Sequence, residues 1–305
     1  MQDMPPIVPN KSVFEARIND NPFQLNWSRE DIENRCGFRG GRYTNFNKLL
    51  TFLIACVLTV VFFVLMAFLP QWLPENNGIA AFSDIFLKRG IIQYFTMLFF
   101  FWGLVILWIK SRKLRMQQCA LGLAAVPQNT DFELTRASAR VVLDRVHVLV
   151  DNPSHFLLLN RIERALSNLK NLGQVSDITS ILKMQSENDD EHISSSYSLL
   201  TGFIWAIPVL GFIGTVLGLS QAIGAFGQTL QGTGELAAIK TALQGVTGGL
   251  ATAFETTLVA LVNALVLQLL ATFMQTREGE FLDACNDYCH RNVASKLRLG
   301  QTGML

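Results

Sequence analysis

The sequence predicts an all-α polytopic membrane protein: four transmembrane helices with a helical cytoplasmic domain. Composition, run length and the placement of charge carry that expectation. Half of the 305 residues are hydrophobic and only 16% are charged. The apolar residues gather into long runs rather than recurring at the spacing of a half-buried helix or strand. A helix rises about 1.5 Å per residue and needs roughly 20 apolar residues to cross the hydrocarbon. Four segments meet that length, and buried helices of a soluble core rarely produce four such runs.

The first span is expected at 49–69, where LLTFLIACVLTVVFFVLMAFL holds no charge. The second, at 90–109, is equally uncharged and rich in Phe and Trp. The third covers 199–226, and the fourth 245–275 contains a single ionisable residue, Glu255. Residues 1–48 read as a polar, charged leader, and the apolar run that follows is too long for a signal h-region, so no cleavable signal is expected. Lys and Arg mark the cytoplasmic side. Arg39, Arg42, Lys48, Lys110, Arg112, Lys113, Arg115 and Arg277 flank one side, and Lys88, Arg89 and Lys240 the other. Both termini are therefore expected in the cytoplasm.

That orientation puts residues 111–197 in the cytoplasm as a helical domain. Asp131 to Leu149 and Phe156 to Leu172 mix apolar and charged residues at helical spacing, separated by Asp151-Asn152-Pro153 with Asn152 or Asp151 as a cap. The acidic run Asp189-Asp190-Glu191 most simply keeps the approach to the third span solvated. Residues 277–305 read as a helical extension and tail. A net charge of +1 argues against a nucleic-acid partner. Cys285, Cys289 and His290 lack a fourth ligand and read as helical packing rather than a metal site. No cofactor site and no pairing of nucleophile with base is visible, so no enzyme is expected.

The first two spans are bulky and suit lipid. The last two differ. Pro208, Gly211, Thr215, Gly218 and Ala222 recur at spacings of three and four, with Gly214 beside them, and Pro208 is expected to bend its helix. In the fourth span Gly245, Gly249, Thr252, Thr256 and Asn263 form a second small and polar sector, flanked by Thr257 and Ala260. Such stripes either pack within the chain or line an interface or pore. An unpaired charge at the bilayer centre costs at least about 2.5–3.5 kcal/mol, so Glu255 either lines a pore mouth or anchors the interface. The four histidines lie outside the spans. A proton relay would need a carboxylate from Glu255 or from another chain.

Pro208 to Gly218 (PVLGFIGTVLG) and Gly249 to Leu261 (GLATAFETTLVAL), on adjacent spans, resemble the MotA/TolQ/ExbB proton-channel family over 199–270. The resemblance implies a ring-like pentamer whose last two helices surround a pore. In that pore would sit the single spans of a dimeric ExbD/TolR/MotB-like partner supplying the transmembrane Asp. It carries the pore threonines onto Thr215 and Thr257, with Thr256 and Thr252 beside them, and gives Pro208, Gly211, Gly214, Gly218 and Gly249 to packing or bending. The implied function is a stator subunit of the bacterial inner membrane, coupling proton flow, or sodium, to mechanical work or force transfer in the cell envelope. Four spans rather than three, and Thr252 where ExbB-like members carry a carboxylate, leave the branch open. The competing readings are a non-conducting membrane scaffold and, further off, a solute transporter.

Overall fold

In the computed structural model the described residues are 25–38, 40–72, 77–87, 90–123, 125–127, 132–167, 175–230 and 236–298. Arg39, Lys88, Arg89 and most of the leader and tail fall outside them, as does Asp131. Among the described residues the secondary structure is helical, with isolated bridges at Leu25–Val150 and Leu134–Leu297. The helices in order are α1 (Trp27–Glu30), α2 (Ile32–Arg35), α3 (Lys48–Trp72), α4 (Asn77–Leu87), α5 (Ile91–Leu121), α6 (Arg136–Leu149), α7 (Leu157–Ser167), α8 (Val175–Ser196), α9 (Ser198–Leu230) and α10 (Leu236–Cys289). A 3-10 turn precedes α7 and a π-turn follows α10. Among the described residues four helices are long and apolar enough to cross a membrane.

The chain divides into two compact units, one of residues 48–109 and 197–275, the other of 1–47, 110–196 and 276–305. The first holds the long apolar runs. There α3, α4 and α5 meet in a hydrophobic cluster of Phe63, Met66, Phe86 and Met97, with Phe62 edge-on to Phe86 at 5.2 Å. Trp102 of α5 donates its indole N–H to Thr51 of α3 at 3.0 Å, so a polar edge in an apolar setting is matched within the chain. Large apolar side chains of α3 (Val57, Val60, Val64, Leu65) remain exposed. In a soluble protein a face of that size would be a liability; in hydrocarbon it is a solvated surface. Neither Pro70 nor Pro208 ends its helix. For Pro208, whose missing amide was expected to bend α9, the helix runs on from Ser198 to Leu230.

The second unit is built around α7, whose Leu157, Leu158, Leu159, Ile162 and Ala165 are buried. Its surroundings hold charges that the sequence reading treated as membrane flanks. Lys110 Nζ donates to both carboxylate oxygens of Glu278, at 3.1 and 3.2 Å, and to Ser196 Oγ at 2.9 Å; the two charged side chains are fully buried. Lys113 Nζ donates to Glu33 at 2.6 Å and to the Asn45 carbonyl at 2.7 Å, and stands over the Trp27 ring. Glu33 also accepts the amides of Gly41 and Asn47, so the loop after α2 wraps one carboxylate. Asp189 corrects an expectation: it is buried and accepts from Arg161 Nε at 2.6 Å. The acidic run thus contributes a structural ion pair as well as solvation.

Caps follow the local sequence. Thr135 and Ser138 form a capping box at the start of α6. Asn152 accepts the Ser154 amide and caps the turn before α7. Asp151 does something else, accepting the amides of Trp27 and Ser28 and the Ser28 hydroxyl. Burial tends to raise its pKa, but these hydrogen bonds to the charged form prevail and hold it below the usual carboxylate range.

Candidate functional site

α9 and α10 pack as an antiparallel pair along a row of residues without bulk. A Cβ added to Gly211 would stand 2.6 Å from the Ala260 Cβ, and one on Gly214 would stand 2.7 Å from Thr256 Oγ1. On Gly218 it would meet the Gly249 carbonyl oxygen at 3.0 Å, and on Gly249 the Ala222 Cβ at 2.6 Å. The partners run in opposite order along the two chains, so the contact continues over several turns. In lipid, helix association gains little from apolar burial and depends on close packing of this kind. All four glycines expected to allow close approach are therefore spent on a seam inside one chain.

The glycines that the resemblance gave to packing lie in this seam, while the threonines that it gave to the pore divide between the seam and its edge. Thr256 is buried in the seam against Gly214, and its hydroxyl donates to the Thr252 and Ala253 carbonyls of its own helix. Thr252 is half-buried and bonds back to the Gly248 carbonyl at 3.0 Å. Thr257 Oγ1 crosses the seam to the Gly211 carbonyl at 2.9 Å. Thr215 bonds to the Phe212 carbonyl at 2.6 Å. Pro208 is half-buried on the same helix.

Helical register separates these threonines. Thr215 follows Gly211 by four residues and Thr257 follows Ala253 by four, so each is turned about 40° from the contacting row. In an antiparallel pair of right-handed helices, equal turns in that sense lie on the same edge of the seam. Covering the opposite edge is α5: Ile92 approaches Gly214, Asn263 Nδ2 contacts Met97 Sδ at 3.3 Å, and Phe99 stacks on Phe203 at 5.2 Å. A Cβ on Gly103 of α5 would meet Leu267 at 2.6 Å. The Thr215–Thr257 edge has no such cover among the described residues. Phe212, Leu219, Phe254 and Leu261, which flank it, are exposed.

The chemistry of that edge is set by where the hydroxyl protons go. Thr215 and Thr257 each donate to a backbone carbonyl, which leaves oxygen lone pairs as acceptors. An acceptor-only hydroxyl suits a neutral carboxylic acid, whose O–H needs a partner, better than a carboxylate. Glu255 stands elsewhere. Two residues before Thr257, it is turned about 160° from it around α10, away from this edge. It is half-buried and engaged in an interaction of its own. Of the three residues read as helical packing rather than a metal site, Cys285 and Cys289 are buried and His290 is exposed. Burial pushes the Cys285 thiol up to about 12 and the Cys289 thiol up to about 11, which keeps both protonated at neutral pH.

Residues 152–286 match the model of the family described as MotA/TolQ/ExbB proton channel family. Over these residues, fewer than half of the chain, the protein is similar to that family. The matched region runs from the turn before α7 to the end of α10 and so contains the whole α9–α10 seam, while α3 and α4 lie outside it. This similarity to a proton-channel family, together with four described helices long and apolar enough to cross a membrane, supports a membrane protein with transmembrane helices. The MotA/TolQ/ExbB family is an ion-driven, stator-like one whose members work with ExbD/TolR/MotB-type partners and proton flow. No curated protein matches, and no solved structure matches.

Sequence reading missed the buried ionic groups of the second unit, Lys110, Lys113, Glu33, Arg161 and Glu278. A signal was present for some: Lys110 and Glu278 each adjoin the end of a long apolar run. Pairing them needed the spatial neighbourhood, which no one-dimensional pattern gives.

Proposed function

We propose that this protein is the channel-forming stator subunit of a proton-driven machine in the bacterial inner membrane. Copies of the chain, five in the reading implied by the family, surround the single spans of a dimeric ExbD/TolR/MotB-like partner. The observation that carries the proposal is the open edge holding Thr215 and Thr257 while α5 covers the other. The partner's transmembrane Asp, protonated, donates its O–H to a threonine oxygen of that edge. Once deprotonated it finds no donor there and is driven toward water. Alternation between the two states, repeated around the ring, makes proton entry a change of contact and hence a turn or push of one component against the other. One elementary charge crossing 100 mV releases about 2.3 kcal/mol, enough to exchange one or two such hydrogen bonds. Both termini and the second compact unit lie in the cytoplasm, and the work is delivered to a client in the cell envelope or to a rotor.

Thr252 and Thr256 are not on the open edge and serve as packing residues. Glu255, turned away from that edge, contacts a neighbouring copy or the membrane interface. The experiment is proton uptake by vesicles containing the full chain co-expressed with its partner. The Thr215→Val, Thr257→Val double variant is expected to assemble normally and lose coupled flux. Wild-type flux in that variant contradicts the role given to the two hydroxyls.

A further inference from the structure

The second unit contains a cavity of about 560 Å³ walled by residues 42–45, α7 and the latter half of α8. That size lies within the range of small-molecule sites, roughly 300–1,000 Å³, and far exceeds the share of one water, about 30 Å³. Its most deeply placed cation is Arg161, which is 1% exposed. Asp189 accepts from its Nε at 2.6 Å and Asn286 Oδ1 from its Nη1, but Nη2 is buried without a protein acceptor. On the same wall Gln185 buries its carbonyl Oε1 without a donor. Buried polar atoms nearly always find partners, and here the two residues that lack one, Arg161 an acceptor and Gln185 a donor, both belong to the wall of a single cavity. Arg42 and Arg164 add two exposed guanidinium groups to its rim, against Glu191 and the already engaged Asp189. The wall thus carries surplus positive charge in the form of planar forks that fit phosphate oxygens.

We propose that this cavity binds a hydroxyl-bearing phosphate ester, its phosphate accepting from Arg161 Nη2 and its hydroxyl donating to Gln185 Oε1. Arg42 and Arg164 close over the phosphate from the rim. The ligand joins three segments that are far apart in sequence, the loop before α3, α7 and α8, and so braces the unit. Two sources share this chemistry, a soluble phosphate ester and a glycerol-phosphate lipid headgroup. Ser195 and Ser196, just before the uncharged run, also line the wall.

The test uses the full-length protein in nanodiscs and reads its melting temperature. One arm titrates glycerol 3-phosphate into phosphatidylcholine discs; the other replaces a third of that lipid with phosphatidylglycerol and adds no soluble phosphate. A saturable rise in the first arm identifies a soluble ligand, and a rise in the second alone identifies the headgroup. In either case the Arg42→Gln, Arg164→Gln double variant, altered only at exposed positions, weakens the effect at least about tenfold. Gln185→Leu removes the advantage of glycerol 3-phosphate over inorganic phosphate. No rise in either arm, or a rise the double variant leaves intact, means the cavity holds only solvent and overturns the proposal.

Discussion

Between α9 and α10, contact is made by glycine, alanine and a threonine whose hydroxyl is satisfied by its own helix. In the second unit, contact is made by buried Lys110, Lys113 and Arg161, each on a carboxylate. The seam needs only closeness, which small residues supply wherever the backbone is regular. The ionic interior needs every partner present at once, because a buried charge without its counter-charge is far more costly than the pair. One region should therefore tolerate loss of chemistry and resist added volume, and the other should behave in the opposite way.

The largest expected effect is on the ionic side. Lys110→Met leaves Glu278 charged and buried and should destabilise by about 3–5 kcal/mol. Adding Glu278→Leu should restore most of that loss in denaturant unfolding of the detergent-solubilised protein. A double variant as unstable as the single one would show that the pair is stabilising in its own right. Next comes volume at the seam. Gly211→Ala places a methyl group 2.6 Å from the Ala260 Cβ and should cost about 1–3 kcal/mol. Gly202→Ala, on the same helix with nothing within 4 Å, should stabilise by about 0.5–1 kcal/mol. Equal effects at the two glycines would remove the seam from the account.

A smaller effect concerns Asp31, next to the Lys113–Glu33 pair, with one carboxylate oxygen buried and unpartnered. Burial raises its pKa above the usual carboxylate value, with Lys113 only partly offsetting it. The folded protein therefore holds this proton more tightly than the unfolded chain. The associated stability is fully present below the unfolded value, near 3.8, and is lost as pH rises through the raised folded value. Asp31→Asn keeps the cap on α2 and removes the charge. It should raise the melting temperature at neutral pH, by an amount that shrinks on acidification; a gain that grows toward acid would reverse the assignment. The smallest effect is Thr256→Val, about 1 kcal/mol or less of stability with proton flux unchanged, because its hydroxyl faces its own helix.

Much of the apolar unit was legible in the sequence, since run length alone marks the segments that become α3, α5, α9 and α10. The stripes were legible too, as Gly211, Gly214, Gly218 and Gly249 fall at helical spacings. What they face was not. Periodicity fixes which residues share a side of a helix but not whether that side meets the same chain or another. Thr256 and Thr257 are neighbours in sequence, yet one lies in the seam and the other at its edge. The partners of Lys110 and Lys113 were hidden for a related reason: charges at the end of an apolar run look alike whether they meet lipid headgroups or Glu278 and Glu33. Asp189 looked like part of a solvated acidic run because Arg161 lies 28 residues away.

The account's central claim is that the seam is closed within one chain and the Thr215–Thr257 edge is the face left for a partner helix. Disulfide cross-linking in membranes tests it most directly, with single cysteines in an otherwise cysteine-free chain paired against cysteines scanned along the partner's one span. Thr215→Cys and Thr257→Cys are expected to cross-link to the partner, and Ala253→Cys and Ala260→Cys to give no product. Cross-links from the two alanine positions, with none from the threonine positions, would contradict the account.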